Sequence, residues 1–135
     1  MINPYIAIKS VLQNDAGTQT ALAGGSIWSY WPRTYAVPCI VCEVDKDDEQ
    51  NDLSGKAPSG MLVSEITITC RGATGPVAWS LWYAVRNALA GQTIGGVDYI
   101  LDDTADSDTP KSEGSTDHWY DRVMSFTTIR SELVT

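Results

Sequence analysis

Three features of this 135-residue chain have the residue types and spacing to do chemistry. The first is a pair of aspartate-rich runs. VDKDDEQND carries Asp45, Asp47, Asp48, Glu49 and Asp52, and DDTADSDTP carries Asp102, Asp103, Asp106 and Asp108. Carboxylates at such density are the oxygen ligands that Ca²⁺ takes. Neither run has the D-x-[DN]-x-[DN]-G spacing with a glutamate at position twelve, so a calcium-dependent binding domain stands as an alternative reading only. The second feature is Cys39-x-x-Cys42, within VPCIVCEV. That segment reads as a strand, where residues three apart point to opposite faces, so two thiolates there do not close on one metal. Buried, hydrophobe-like cysteine is the better reading. The third is the sole histidine, His118, beside Asp117. Such a pair can orient a base, but no G-x-S-x-G nucleophile accompanies it, and a solvent-facing histidine fits better. There is no Walker loop, G-x-G-x-x-G or H-E-x-x-H, and nothing selects one pair of carboxylates for glycoside hydrolysis. The sequence therefore assigns no catalytic, cofactor or metal residue, and a non-enzymatic role is expected.

Charge narrows the partners. The net charge is −8, and 14 of the 17 acids lie between Glu43 and Asp52 or between Asp98 and Asp121. Nucleic-acid binders present basic patches, so this chain is not expected to grip phosphates. Net charge also keeps a protein soluble; the sharper reading is a surface that repels DNA. No apolar run approaches the roughly 18 residues of a membrane span. The N-terminal MINPYIAIKSVLQND lacks a signal-peptide pattern, so a cytoplasmic product without a membrane partner is expected.

Aromatic residues supply the other surface signal. Trp28, Tyr30, Trp31 and Tyr35 crowd one short stretch around Arg33. Trp, Tyr and Arg concentrate binding energy at protein interfaces, so these five are candidate interface residues, although some must serve the core of a chain with one Phe.

The elements that position these residues follow from periodicity. Asn3-Pro4 opens a helix whose face is Tyr5, Ile8, Val11 and Leu12, running to about Asn14. A short helical turn at Thr18–Ala23 ends at Gly24-Gly25. Pro32 and Pro38 break the next segment into an extended piece at Ile27–Trp31 and a strand from Cys39 to about Asp45. A polar loop is expected from Lys46 to Gly60, then an alternating strand over Met61–Arg71. Gly75-Pro76 opens a long helix with the apolar stripe Val77, Leu81, Trp82, Val85, Ala88 and Leu89, and Trp79, Tyr83 and Arg86 lie to one side of it. A strand at Val97–Asp102, an acidic loop over Asp103–Thr116 and a long strand over Asp117–Ser131 complete the chain. The expected fold is one α+β domain over residues 1–135: an antiparallel four- to five-stranded sheet with two main helices packed on one face.

In order and spacing, these pieces resemble the siphophage tail terminator (tail completion) family. The resemblance is carried by ALAGG at Ala21–Gly25, SIWSYWPRTYAVPCIV at Ser26–Val41, LAGQTIGGVDYILDD at Leu89–Asp103 and YDRVMSFTTIR at Tyr120–Arg130. It implies a virion protein of the tail or neck, assembled in the host cytoplasm. There a homo-oligomeric, hexameric ring caps the finished tail tube, binds the tail tube protein, and docks on the head connector or stopper while DNA passes without specific binding. Sheet extension between subunits would cover any unpaired edge strand. On this reading Asp45, Asp47, Asp48, Glu49, Asp52, Asp102, Asp103, Asp106 and Asp108 are candidate channel or ring-contact acids. A head-completion (stopper) protein is the alternative from the same particle.

Overall fold

The structure, a computed structural model, describes residues 4–50, 61–94, 97–110 and 118–131. Helices α1 (Pro4–Asn14) and α2 (Ala16–Leu22) come first. Strand β1 (Ile27–Trp28) leads through a loop to β2 (Cys39–Gln50) and β3 (Met61–Gly72). Helix α3 (Gly75–Leu89) precedes β4 (Thr93–Ile94), β5 (Val97–Pro110) and β6 (His118–Ser131).

Local chemistry sets the helix ends. The Asp15 carboxylate accepts from the Thr18 backbone N–H at 2.9 Å, an N-cap for α2. Ala23 and Gly24 then take left-handed backbone, which stops it. Thr74 caps α3, Pro76 sits in its first turn, and Arg86 in its last turn complements the helix dipole. The Asn3 capping signal lies outside the described residues. Gly25 is required by packing: a Cβ there would fall 1.9 Å from the Pro38 carbonyl oxygen, where the chain into α2's exit crosses the chain into β2.

Six strands form one sheet in the order β1-β2-β3-β6-β5-β4. The expectation of a four- to five-stranded antiparallel sheet with two main helices is thereby corrected. The sheet is mixed, because β1 runs parallel to β2 with Ile27 opposite Ile40, and α2 is a third helix of seven residues. The two acidic runs, read as loops, are largely strand: β2 continues to Gln50 and β5 to Pro110. Aspartate disfavours strands, but the long partners β3 and β6 offer an uninterrupted ladder, and pairing overrides local preference. Register shifts at Val44/Lys46 and Leu101/Asp103 bend both long edges where the acidic runs begin.

One face of the sheet carries the helices. Ile8 and Leu12 of α1, Leu22 of α2, and Leu81, Trp82, Val85 and Leu89 of α3 pack on Ile40, Cys42, Ile66, Ile68, Cys70, Tyr99, Met124 and Phe126. The alternation of β3 holds: Ser64, Ile66, Ile68 and Cys70 are buried beneath the helices. Among the described residues the opposite face carries no helix.

Candidate assembly surface

The helix-free face is built from β3 outward. Arg71 stands opposite Cys39 on β2 and Asp121 on β6. Its Nε donates to Asp121 Oδ1 and its Nη2 to Oδ2, both at 2.6 Å, so the pair is bidentate, and both side chains are buried. Nη2 also donates to Thr109 Oγ1 at 3.0 Å, and Nη1 to the Tyr35 hydroxyl at 2.5 Å. The Trp31 ring stacks over the guanidinium at 4.0 Å. Burial opposes the Arg71 charge, but the hydrogen bond and charge of Asp121, with Tyr35, hold its pKa above the ordinary value. This cluster fastens the loop between β1 and β2 across the sheet.

That locates the five candidate interface residues. Trp31 and Tyr35 lie on the loop and hold Arg71, with Trp31 still partly open to solvent. Arg33 and Tyr30 are exposed. Trp28 lies in β1, half-buried and edge-on to Tyr30 at 6.0 Å. With Tyr5, Lys9, Gln13 and Gln19, Trp28 and Tyr30 line an open cleft of about 490 Å³.

Beyond the loop, the helix-free face is mixed: Ile100, 47% exposed, stands opposite Thr127 on it, and half-buried Val123 and Ile129 share it with polar and acidic residues. Glu65, Asp98, Asp102 and Asp103 are exposed on it, with Thr67, Ser125 and Thr127 between them; Thr127 donates to Asp102. Arg71, its cation among the described side chains, is buried and paired. Asp106 points the other way and binds Arg122 at 2.7 Å. Asp102 and Asp106 are thus engaged on opposite faces, and among the described residues no three His, Cys, Asp or Glu converge as a metal site. Asp45, Asp47, Asp48 and Glu49 lie in β2 and Asp108 in β5. Asp52 falls outside the described residues. The two acidic strands occupy opposite sides of the sheet: among the described residues, β2 beyond Val41 pairs only with β3, and β5 beyond Asp98 only with β6.

Cys39 and Cys42 are both buried and lie on opposite faces, Cys42 in the helix-covered core and Cys39 beside Arg71 and Asp121. Burial pushes Cys42 up to about 12. Burial, countered by Arg71 and aided by Asp121, lifts Cys39 to about 11, and burial raises Cys70 well above the thiol range. At pH 8 the folded chain is expected to resist thiol-specific labelling, with all three cysteines reacting once urea unfolds it. Because the folded values are raised, the thiols' contribution to stability is complete below the ordinary value of 9.0 and lost as pH rises through 11 to 12.

The helix α3 adds a surface that the loop aromatics had overshadowed. Trp79, Trp82, Tyr83 and Arg86 follow the i, i+3, i+4, i+7 spacing of one helical stripe. Trp82 is buried, whereas Trp79 and Tyr83 are 50% and 53% exposed. Arg122 of β6 lies 4.0 Å from the Trp79 ring and 4.2 Å from the Trp82 ring. Exposed Tyr120 shares its strand face.

The fold is similar to that of a chain in a solved structure of the virion of a native gene transfer agent particle. The TM-score is 0.64 over 93% of this chain and 93% of that one, at 16% identity. At that identity the likeness is one of fold. No protein-family profile matches the chain, and no curated protein matches it.

Proposed function

We propose that this chain is a structural virion protein of a phage-like particle. In this reading it forms the ring, six-fold by its resemblance to tail terminators, that caps the completed tail tube and joins it to the head connector. The fold likeness to a virion chain over 93% of both lengths supports a place in such a particle. The observation that carries the channel is the charge of the helix-free sheet face: Glu65, Asp98, Asp102 and Asp103 are exposed on it, beside threonines, a serine and Ile100, with its described cation neutralised under the loop. Lining a pore, that face repels phosphates and lets DNA slide. The helix-bearing side then faces protein partners.

Mass photometry and negative-stain microscopy of the purified chain, alone and with tail tubes, test this. The expected result is a ring of six 14.7-kDa subunits with an open centre, seated on tube ends. Fluorescence anisotropy should detect no binding of duplex DNA at physiological salt. A chain that stays monomeric both alone and with tubes, or that binds DNA, would sink the reading.

A further inference from the structure

The cleft beside β1 differs in charge from the rest of this acidic chain. Helix α1 lines it with Tyr5, Lys9 and Gln13, which fall at i, i+4 and i+8 on one stripe, about 12 Å along the helix at 1.5 Å per residue. Strand β1 is the end strand of the sheet. The Ser26 carbonyl turns toward β2, accepting from the Ile40 N–H at 3.0 Å, and the Ile27 carbonyl turns away, accepting from the Tyr5 hydroxyl at 3.1 Å. The outer edge of β1 thus faces α1 across the cleft. Gln13, Ser26 and Ser29 are exposed there, hydrogen-bonding side chains without charge. Among the described residues Lys9 is the one lining side chain with a formal charge, in a chain of net charge −8. Its ammonium lies 5.7 Å from the Tyr5 ring and makes no ion pair with a described residue.

We infer that this cleft is a binding site for an extended peptide segment of a protein partner, one that carries a carboxylate. Three features select that occupant. An extended main chain presents a donor and an acceptor at each residue, which suits a row of uncharged polar groups between a helix and a strand edge. With the Ile27 carbonyl already taken by Tyr5, the side chains of Gln13, Ser26 and Ser29, not a full added strand, meet that main chain. The Lys9 ammonium selects the charge: a carboxylate beside it gains a charge-assisted hydrogen bond, whereas a cation is repelled. Trp28 and Tyr30, edge-on to each other at 6.0 Å, add aromatic surface at low cost in side-chain freedom. The chain's own described acids do not supply the segment, since they sit in laddered strands or, at Asp15, in a helix cap. The inference goes beyond the ring reading and does not rest on it.

Titrating the ¹⁵N-labelled full chain with capped hexapeptides, read as backbone chemical-shift changes, tests the site. The peptides alternate valine with aspartate, asparagine or lysine. The aspartate peptide is expected to shift Lys9, Gln13 and Ser29, and to bind about tenfold tighter than the asparagine peptide, the scale of one charged hydrogen bond. An acidic protein repels an acidic peptide at long range, so such binding needs a local site. Lys9→Gln, at a half-buried position and with folding checked by circular dichroism, is expected to erase the tenfold preference. Arg86→Gln on α3 is expected to keep it. No shift with any peptide, a lysine peptide bound as tightly, or a preference that survives Lys9→Gln or is lost equally in Arg86→Gln overturns the site. So does sedimentation velocity in which Lys9→Glu breaks apart an assembly of the wild-type chain, because the occupant is then a second copy. Failure of the ring experiment leaves these results standing, and failure here leaves the ring reading intact.

Discussion

Replacing Asp121 with alanine is expected to cost about 3–5 kcal/mol, measured as a shift in the urea unfolding midpoint, because it strands the Arg71 guanidinium in a buried site. Arg71 spends its donors on Asp121, Tyr35 and Thr109, and the first of these alone carries the opposing charge. Thr109 also donates to Asp121 at 2.9 Å, so the substitution breaks a network rather than one bond. The loss should also loosen the Trp31–Tyr35 loop, seen as a change in tryptophan emission before global unfolding. Removing both charges, with Arg71→Met and Asp121→Leu together, is expected to recover most of the stability, since no unpaired ion then remains. A double variant as unstable as the single one would mean that the loop, and not the charge, depends on these side chains.

Trp82→Ala is the second large effect, expected at about 3–5 kcal/mol from cavity formation in the core. Trp82 belongs to the buried cluster of α3, yet its ring also supports Trp79, Tyr83 and Arg122. Its indole Nε1 meets no acceptor among the described residues, so the ring contributes through packing. Trp82→Phe is therefore expected to keep most of the stability, because it removes an unpaired buried donor along with some volume. Equal losses for Ala and Phe, in chemical denaturation, would point instead to a specific need for the indole. Either loss is large against the roughly 5–15 kcal/mol that holds a domain folded.

Much of the fold was legible because periodicity reports which side of an element is buried. Helix α1, α3 with its apolar stripe, and the alternation of β3 all follow from spacing in the sequence. The errors fell where composition and pairing disagree. Aspartate and serine in β5 look like a loop, but a ladder partner 14 residues long holds them extended, and nothing in the composition of the run itself announces that ladder. The parallel β1 was hidden for a similar reason: two residues carry no period, and their neighbour lies beyond two prolines. Of the candidate surface, the aromatics were visible as types, but their roles were not. Trp31 and Tyr35 proved to bind Arg71, whose importance depends on Asp121, 50 positions away. An arginine continuing the non-helical face of an otherwise neutral strand end was the available clue.

The ladder between β3 and β6 carries a consequence for how the chain reaches this state. The β2–β3 and β5–β6 hairpins close locally, within a few tens of residues, and such contacts form early. Joining them is different, since Met61 meets Ser131 and Arg71 meets Asp121 only after most of the sequence has been made. During synthesis β6 is the last of the described strands to emerge, so β3, with Ile66 and Ile68, waits with one edge open. In that interval the β6-facing edge of β3 is an unpaired ladder that a neighbouring half-made sheet can meet, so the timing of β6 governs the chain's exposure to mispairing.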